Sequence, residues 1–349
     1  MWRGSALRSG PATQTGEIMI IVRMTSGLGN QMFQYNFYRL MQELYPETTV
    51  KADVRWLYRN DPHHGYELDR VFPSLKEKAF QVKAAHVGEI FRVTGQLYGC
   101  PKNHTLASLW SRLTGPLNRK LRNGKYRERF SSQVIEDTTG EMGSEMILDD
   151  EGKKVSSLYR MLTHLDPAKD YYITSYFSSE VYYRDRLDRL QKELAFSEPE
   201  DETNRRLLER IDHENSVSIH LRRGDYLAPE NKDRFKTLDD SYYGEAISVI
   251  RSRVDDPQFF VFSDDVSFAK ELFAGRSEPM TFVSHNTGKE SYRDMQLMSR
   301  CRHNIIANST FSLWAALLNS NKGHITVYPK DYMFGEDTEE KTLPDWIRV

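Results

Sequence analysis

The residues best suited to chemistry lie in the heptapeptide HLRRGDY, which begins at His220. It continues an apolar run, 217–221, whose alternate residues face a core, so His220 and Arg222 share the other face of an extended strand. Because a guanidinium contacts phosphate oxygens in pairs, we expect one of the adjacent arginines, Arg222 or Arg223, to hold a ligand phosphate while Asp225 pairs with the other. The alternative is a structural Arg–Asp pair that closes a turn.

Two other polar clusters follow apolar runs. In FFVFSDD, Ser263 and Asp264 come directly after a buried strand, where the carboxylate can accept hydrogen bonds from a guanine base or cap the next helix. In IIANSTFS, Asn308, Ser309 and Thr310 lead into an apolar helix. The serine and threonine hydroxyls, with the free N–H groups of the helix start, form an anion site, or the hydroxyls serve only as helix caps. Together with the arginines, these clusters predict a nucleotide-diphosphate half-site.

A glycine-containing turn lies near the start of the chain, in MTSGLGNQMFQYN. Gly27 and Gly29 separate an apolar run, 19–24, from apolar residues at helical spacing that continue to Leu44. A strand, loop and helix are therefore expected. Such a turn lets backbone approach a phosphate or a sugar hydroxyl closely, but it can equally be only a tight connection.

The last third of the chain alternates short apolar runs with stretches at helical spacing. The predicted strands are VSIHL (217–221), FFVF (259–262), MTFV (280–283), NIIA (304–307) and ITVY (325–328). The predicted helices lie near 241–253, 266–273, 292–301 and 311–319. This alternation predicts an α/β fold with a parallel sheet covered on both faces, and it predicts ligands at the carboxyl ends of the strands.

The first half gives a weaker pattern. Strands are predicted at 19–24 and 49–53, and a strand with its following turn at 171–177, whereas 75–165 has no assignable pattern. Within it, the stretch 109–130 is strongly basic. This stretch is either a solvated helix face or a surface that docks on an anionic membrane or a charged carrier lipid.

The bulk composition excludes several classes of protein. The chain has 349 residues, a formal net charge of −2 and 12% aromatic residues, which suit a globular protein without the basic field of a nucleic-acid binder. Its two cysteines, Cys100 and Cys301, have no C-x-x-C spacing, so we expect reduced thiols and no zinc site. No apolar run could span a bilayer and no secretory signal is present, which predicts a cytoplasmic protein; residues 1–18 are expected to be a disordered extension.

The order of the motifs resembles a known family. SGLGNQMFQYNF, HLRRGDY, the FVFSDD strand end and YRDMQLMSRCRHNIIANSTFSLWAALL are similar to the successive motifs of the bacterial α-1,2-fucosyltransferases of glycosyltransferase family 11. The HxRRxD pattern alone is shared with α-1,6- and protein O-fucosyltransferases, whereas GLGNQMFQ and IANSTFSxW make family 11 specific. Two residues depart from the family pattern: Ser26 replaces a usual Gly, and Leu313 replaces the first Trp of a pair.

The resemblance implies a GT-B architecture, in which two Rossmann-like domains face each other across a cleft. Residues 19–180 would form the N-terminal, acceptor-side domain, and 181–349 the C-terminal domain that binds GDP-fucose. The implied reaction is inverting: the 2-hydroxyl of a terminal β-galactose in an O-antigen, capsule or lipid-linked glycan displaces GDP. No cofactor is implied, and because no D-x-D motif is flanked by strands, Arg222 would do the work that a metal ion does elsewhere. Peripheral contact with an anionic inner membrane is expected.

The resemblance also suggests roles for individual residues. Arg222 would stabilise the departing β-phosphate, and Asn30 would act near the fucose. His220 is the nearest candidate base, although it could instead order the arginine or hold a fucose hydroxyl. Other candidates for the base or for acceptor binding are Asp53, Glu67 and Asp69. The remaining donor-binding residues implied by the motifs are Gly27, Gly29, Gln31, Arg223, Asp225, Ser263, Asp264, Asn308, Ser309, Thr310 and Phe311.

Two rival interpretations remain open from sequence. One is a different fucosyl linkage, or another GDP-sugar donor such as GDP-mannose. The other is an inactive nucleotide-sugar-binding module that serves as a scaffold.

Overall fold

The computed structural model describes residues 18–58, 63–95, 133–136, 146–148, 154–229, 231, 235–333, 336–337 and 339–349. The N-terminal extension, the basic stretch 109–130 and Cys100 lie outside these ranges, so the predictions made for them stay predictions. Cys301 is a free, buried thiol, and burial raises its pKa. None of the helices in the described ranges is both long and apolar enough to cross a bilayer.

The first unit is built on a four-stranded parallel sheet. β1 (Met19–Arg23) lies between β2 (Thr49–Asp53) and β6 (Tyr171–Thr174), and β3 (Gln133–Glu136) extends the sheet beyond β6. The glycine-containing turn connects β1 to α1 (Leu28–Leu44), as the apolar spacing predicts. Other elements before residue 194 are α2 (Leu68–Val71), α3 (Val87–Thr94), the antiparallel pair β4 (Met146–Leu148) and β5 (Lys154–Ser156), α4 (Ser157–Leu162) and α5 (Leu187–Glu193).

The second unit is built on a six-stranded parallel sheet. Its strands, in spatial order, are β14 (Ile347–Arg348), β11 (Thr326–Tyr328), β10 (His303–Ile305), β7 (Ser216–Leu221), β8 (Gln258–Ser263) and β9 (Met280–Val283). Its helices are α6 (Glu202–His213), α7 (Asp240–Arg251), α8 (Val266–Leu272), α9 (Tyr292–Arg300) and α10 (Thr310–Leu317). A short antiparallel pair, β12 (Asp331–Met333) and β13 (Glu336–Asp337), precedes the last strand.

The second sheet is buried on both faces, as a parallel sheet requires. Val217 and Ile219 of β7 pack with α7 in one core, whereas Phe260 of β8 belongs to a larger core shared with the first unit. In that shared core, Phe33 of α1 packs against Trp314 of α10. The two units are therefore joined by side chains that neither unit alone would bury.

The predicted elements of the last third are confirmed to within two residues at each end. The structure adds α6, and it adds the short elements between 75 and 165, for which the sequence shows no assignable pattern. Two parallel α/β units with a cavity between them confirm the predicted GT-B architecture. No observation fixes the boundary at residue 180, which stays a prediction.

Candidate active site

A cavity of about 860 Å³ opens between the two units, lined by the loops that follow strands of both sheets. This is the position that the carboxyl-end rule for parallel sheets predicts. Predicted site residues that line it are Gly27, Gly29, Asn30, Glu67, His220, Arg222, Ser263, Asp264, Ser309, Thr310 and Phe311. The structure therefore brings the SGLGN, HLRRGD, FSDD and NSTF motifs into one site.

Two helices from different units begin together at this cavity. A Cβ added to Gly29 would lie 2.7 Å from Oγ1 of Thr310 and 2.8 Å from its carbonyl carbon and oxygen. One turn further on, the ring centroids of Phe33 and Trp314 are 4.8 Å apart. Because both helices advance by four residues between these contacts, α1 and α10 run side by side in the same direction. Their N-termini meet at the cavity.

The paired helix starts make this end of the cavity attractive to anions. Each N-terminus carries about half a positive charge and N–H groups without intrahelical acceptors. Gly27, at the start of α1, supplies no capping side chain, whereas Oγ of Ser309 accepts a hydrogen bond from the N–H of Phe311 (3.3 Å) in α10. The first turn of α1 is thus left open to a ligand.

Arg222 adds a full positive charge to the cavity. Its Nη1 lies 3.1 Å from Oδ2 of Asp264, and its side chain is 28% exposed. The same carboxylate accepts hydrogen bonds from the backbone N–H groups of Arg223 (2.9 Å) and Gly224 (3.1 Å). Asp264 therefore holds both the turn after β7 and the guanidinium, and its predicted contact with guanine stays a prediction.

Arg223 is not among the residues that line the cavity, and its expected place among the donor-binding residues stays a prediction. Its Nη1 lies 2.8 Å from Oδ2 of Asp265, and its guanidinium lies 4.0 Å from the centroid of the Phe268 ring. Asp265 also caps α8 by accepting from the N–H of Phe268 (3.1 Å). The helix cap that we considered for Asp264 thus belongs to the next residue. The side chain of Asp225 lies outside the described part of the chain, so its pairing stays a prediction.

His220 lines the cavity but is poorly suited to accept a proton. Its side chain is buried, and burial together with the charge of Arg222 lowers its pKa to about 3. A base with so low a pKa is a weak proton acceptor near neutral pH. The buried neutral ring lies 5.8 Å from the Phe311 ring, which fits the alternative of ordering the site.

Gln31 and Asn308 are buried beside the cavity rather than in its lining. The Gln31 amide donates to the backbone oxygens of Ser26 and Gly65 (both 2.9 Å) and accepts from the N–H of Glu67 (3.0 Å). Asn308 donates to the backbone oxygen of Lys236 (2.8 Å). In this structure both hold loops of the site in place, and their expected contact with the donor stays a prediction.

Only one of the three carboxylates expected as alternative bases lines the cavity, and it is Glu67, whose Oε1 lies 2.5 Å from Nη2 of Arg70. Asp53 is buried in an ion pair with Arg55 (2.7 Å); burial opposes ionisation, but the Arg55 hydrogen bond and charge outweigh it and lower the pKa of Asp53. Asp69 accepts a hydrogen bond from the side chain of Tyr66. Asp53 and Asp69 thus have partners outside the cavity lining, and their role as a base stays a prediction.

The cavity lining contains residues that the sequence analysis missed. Among them are His63, beside Gly27, the segment 175–179 after β6, and Asn286 and Asp294 beyond β9. The rule that ligands bind at the carboxyl ends of parallel strands, applied to β6 and β9, points to the last two groups.

Asp294 ends a buried polar network that reaches the cavity. Its Oδ1 accepts from Nδ2 of Asn286 (2.8 Å), and the amides of Asn286 and Asn204 exchange two hydrogen bonds (2.8 and 3.1 Å). Asp201 closes the chain by accepting from Nδ2 of Asn204 (2.9 Å). Burial raises the pKa of Asp294 to about 7, against the smaller, opposite effect of the Asn286 hydrogen bond.

We expect Asp294 to make the stability of the protein pH-dependent. Because its folded pKa exceeds its unfolded value, the folded state binds the proton more tightly between pH ~4 and ~7, so stability falls as pH rises through this window. At ~1.4 kcal/mol per pKa unit, the loss is at most about 4 kcal/mol. Asp294→Asn, which mimics the neutral acid, should remove this loss in urea unfolding measured at pH 5 and pH 8.

Asp188→Asn is the matched control for this prediction, since Asp188 is exposed on α5. The stability of the Asp188→Asn variant should depend on pH in the same way as that of the unmodified protein. A pH dependence for Asp294→Asn equal to that of the control would show that Asp294 does not titrate as its burial implies.

The chain is similar in sequence to known proteins. The model of the family named Glycosyl transferase family 11 matches residues 139–349, which is more than half of the chain. The chain is 25% identical over 338 residues to an Escherichia coli alpha-1,2-colitosyltransferase, and the alignment covers 95% of this chain and 99% of that protein.

Two further relatives match over shorter stretches. The O-antigen biosynthesis glycosyltransferase WbnK of Escherichia coli is 39% identical over 137 residues, or 39% of this chain and 45% of WbnK. The human galactoside alpha-(1,2)-fucosyltransferase 1 is 30% identical over 142 residues, or 38% of each chain. The aligned stretch thus spans less than half the length of either relative.

Proposed function

The chain belongs to glycosyltransferase family 11, and on that premise we propose that it transfers L-fucose from GDP-fucose to the 2-hydroxyl of a terminal β-galactose. The human relative is named as a galactoside alpha-(1,2)-fucosyltransferase, and WbnK is named for O-antigen biosynthesis. We propose a glycan of that kind as the acceptor.

The observation that carries this proposal is that one cavity holds the groups that bind a diphosphate. Two helix N-termini meet where Gly29 contacts Thr310, and Arg222 lines the same cavity. A diphosphate needs N–H donors, a favourable dipole and a guanidinium fork, and the cavity offers all three. We place the diphosphate at the two helix starts, with the sugar between the two units.

The proposed reaction is a single displacement with inversion. The oxygen of the acceptor hydroxyl forms a bond to C1 of fucose, while the bond from C1 to the β-phosphate oxygen breaks and GDP leaves with the electron pair. The negative charge that grows on the β-phosphate lies where the helix starts and Arg222 are already oriented, so they stabilise the transition state without reorganisation.

The hydroxyl proton must pass to a base in the same step. We propose Glu67, because it lines the cavity from the first unit, whereas Asp53 and Asp69 do not line it. The backbone of Glu67 is fixed by its hydrogen bond to Gln31 (3.0 Å). Gln31 is thus a positioning residue for both the glycine-containing turn and the proposed base.

We propose that the reaction is independent of a metal ion, since Arg222 and the helix starts can neutralise the diphosphate. GDP release from GDP-fucose should increase when a β-galactoside such as lactose is added, and it should be unchanged by excess EDTA. Loss of activity in EDTA would contradict metal independence. Tight GDP binding without release, with any galactoside, would favour the scaffold interpretation.

A second donor is favoured by one observation. The relative that aligns over nearly its whole length is named as an alpha-1,2-colitosyltransferase, and colitose is fucose without its 3-hydroxyl. Running the same assay with GDP-fucose and with the GDP form of colitose separates the two. A site that hydrogen-bonds the 3-hydroxyl should prefer fucose strongly, because the analogue leaves that partner unpaired.

A further inference from the structure

The segment Ser175–Ser179, which we call the SYFSS wall, forms part of the cavity on the side of the first unit. All five residues line the cavity, and none carries a charge. The wall therefore differs chemically from the part of the cavity that holds Arg222. It offers hydroxyl groups and one exposed aromatic ring.

That ring belongs to Tyr176, which is 37% exposed, whereas Ser175 and Phe177 on either side are 7% and 2% exposed. Tyr176 is therefore the aromatic side chain of the wall that a ligand in the cavity can contact.

The next residue, Phe177, has a strained backbone. Its φ is +52°, a left-handed conformation that side chains other than glycine rarely adopt. This turn directs its ring into the core, where it stacks on Phe37 with centroids 3.7 Å apart and meets Tyr182 edge-on at 5.7 Å. Phe177 thus packs in the core, whereas Tyr176 beside it is exposed in the cavity. Strain of this kind is characteristic of functional sites.

The SYFSS wall is also tied to the glycine-containing turn. The amide of Gln34 donates to the backbone oxygen of Ser175 (3.4 Å) and accepts from the N–H of Thr25 (2.8 Å). One side chain of α1 thus spans from the wall to the residue just before Ser26, which itself lines the cavity. A ligand on the wall would lie beside the turn that approaches the donor.

We propose that the SYFSS wall is the subsite for the acceptor sugar, with Tyr176 stacking on the ring and the serine hydroxyls binding its rim. A galactopyranose has a patch of C–H groups on one face and hydroxyls around its edge, which matches the chemistry of the wall, an exposed tyrosine ring together with serine hydroxyls. This assignment rests on the proposed function for the identity of the sugar. It places acceptor recognition in residues outside the four family motifs.

The test compares Tyr176→Ala, Tyr176→Phe and Tyr58→Ala. Tyr58 is the matched control because it is a 55% exposed tyrosine that does not line the cavity. In the transferase assay, Tyr176→Ala should raise KM for the β-galactoside roughly tenfold, the value of one lost stacking contact. KM for GDP-fucose should stay within about twofold. Tyr176→Phe keeps the ring and should restore KM for the galactoside.

A binding measurement separates failure of this inference from failure of the proposed function. Saturation-transfer NMR with methyl β-galactoside in the presence of GDP should show transfer to the ring C–H protons in the unmodified protein and its loss in Tyr176→Ala. If the galactoside binds in this way but no transfer reaction occurs, the subsite stands and the activity is wrong. Equal signals in both proteins, or no galactoside signal in the unmodified protein, would overturn the subsite.

Discussion

Replacing Gly29 by alanine is expected to lower kcat/KM by at least about 100-fold. The added methyl group would lie 2.7 to 2.8 Å from the side-chain oxygen and the carbonyl group of Thr310. Two of these atoms belong to the backbone, so they can yield only if the start of α1 moves away from the start of α10. A displacement of about 1 Å at a reacting centre is enough for a loss of this size. Initial rates with GDP-fucose and a β-galactoside measure it.

Two other glycines provide controls for this prediction. Gly88 lies in α3 with no atom within 4 Å of an added Cβ, so Gly88→Ala should leave activity unchanged. At Gly27 the nearest atoms, in the ring of His63, are 3.5 Å away, so Gly27→Ala should cost far less than Gly29→Ala. Circular dichroism would establish that each variant folds. Near-normal activity of a folded Gly29→Ala variant would contradict the assignment of the helix contact to the active site.

The elements that carry the site are those that the sequence predicts best. The strands from β7 to β11 are apolar runs, because both faces of the second sheet are buried. The helices between them show a clear helical period of apolar residues. The stretch between β2 and β6 lacks such a signal. Where it is described, it includes β4 and β5, which have three residues each and are too short to show a periodic pattern.

The roles of individual site residues are harder to predict from sequence than the elements that carry them. The sequence places Arg222 and Arg223 side by side, but only the fold decides that Arg222 faces the cavity and Arg223 pairs with Asp265. The same holds for Gln31, whose partners Gly65 and Glu67 come from a loop more than 30 residues away. Partners that are distant in sequence leave no local pattern.

Ser26 illustrates what resemblance can add to local reasoning. The family usually has glycine at this position, and the structure gives Ser26 a φ of +66°. A left-handed residue with a side chain costs roughly 1 kcal/mol more than glycine, which explains the family preference. The family preference for glycine therefore follows from the left-handed backbone of this turn. Ser26 adopts the same conformation with some strain.

Arg222→Lys is expected to reduce kcat by at least about 100-fold while weakening GDP binding far less. Lysine keeps the positive charge that attracts the diphosphate, but it lacks the fork that can bind Asp264 (3.1 Å) and a phosphate oxygen together. The lost interaction is therefore one that strengthens as charge develops on the leaving β-phosphate, and removing one such donor typically costs 10²- to 10³-fold in kcat, or roughly 3–4 kcal/mol. Single-turnover rates and GDP titrations measure the two effects separately.

The neighbouring arginine makes this prediction specific. Arg223→Lys also replaces a guanidinium that is held by a carboxylate. Its ion pair with Asp265 and its stacking on Phe268, however, lie outside the cavity lining. We therefore expect a loss in kcat under about tenfold, caused by loosening of the turn after β7. If both variants lost kcat equally, the effect would come from the turn as a whole. If Arg222→Lys lost only GDP affinity, Arg222 would bind the ground state and the transition state equally. The two helix starts alone would then stabilise the charge that develops on the β-phosphate.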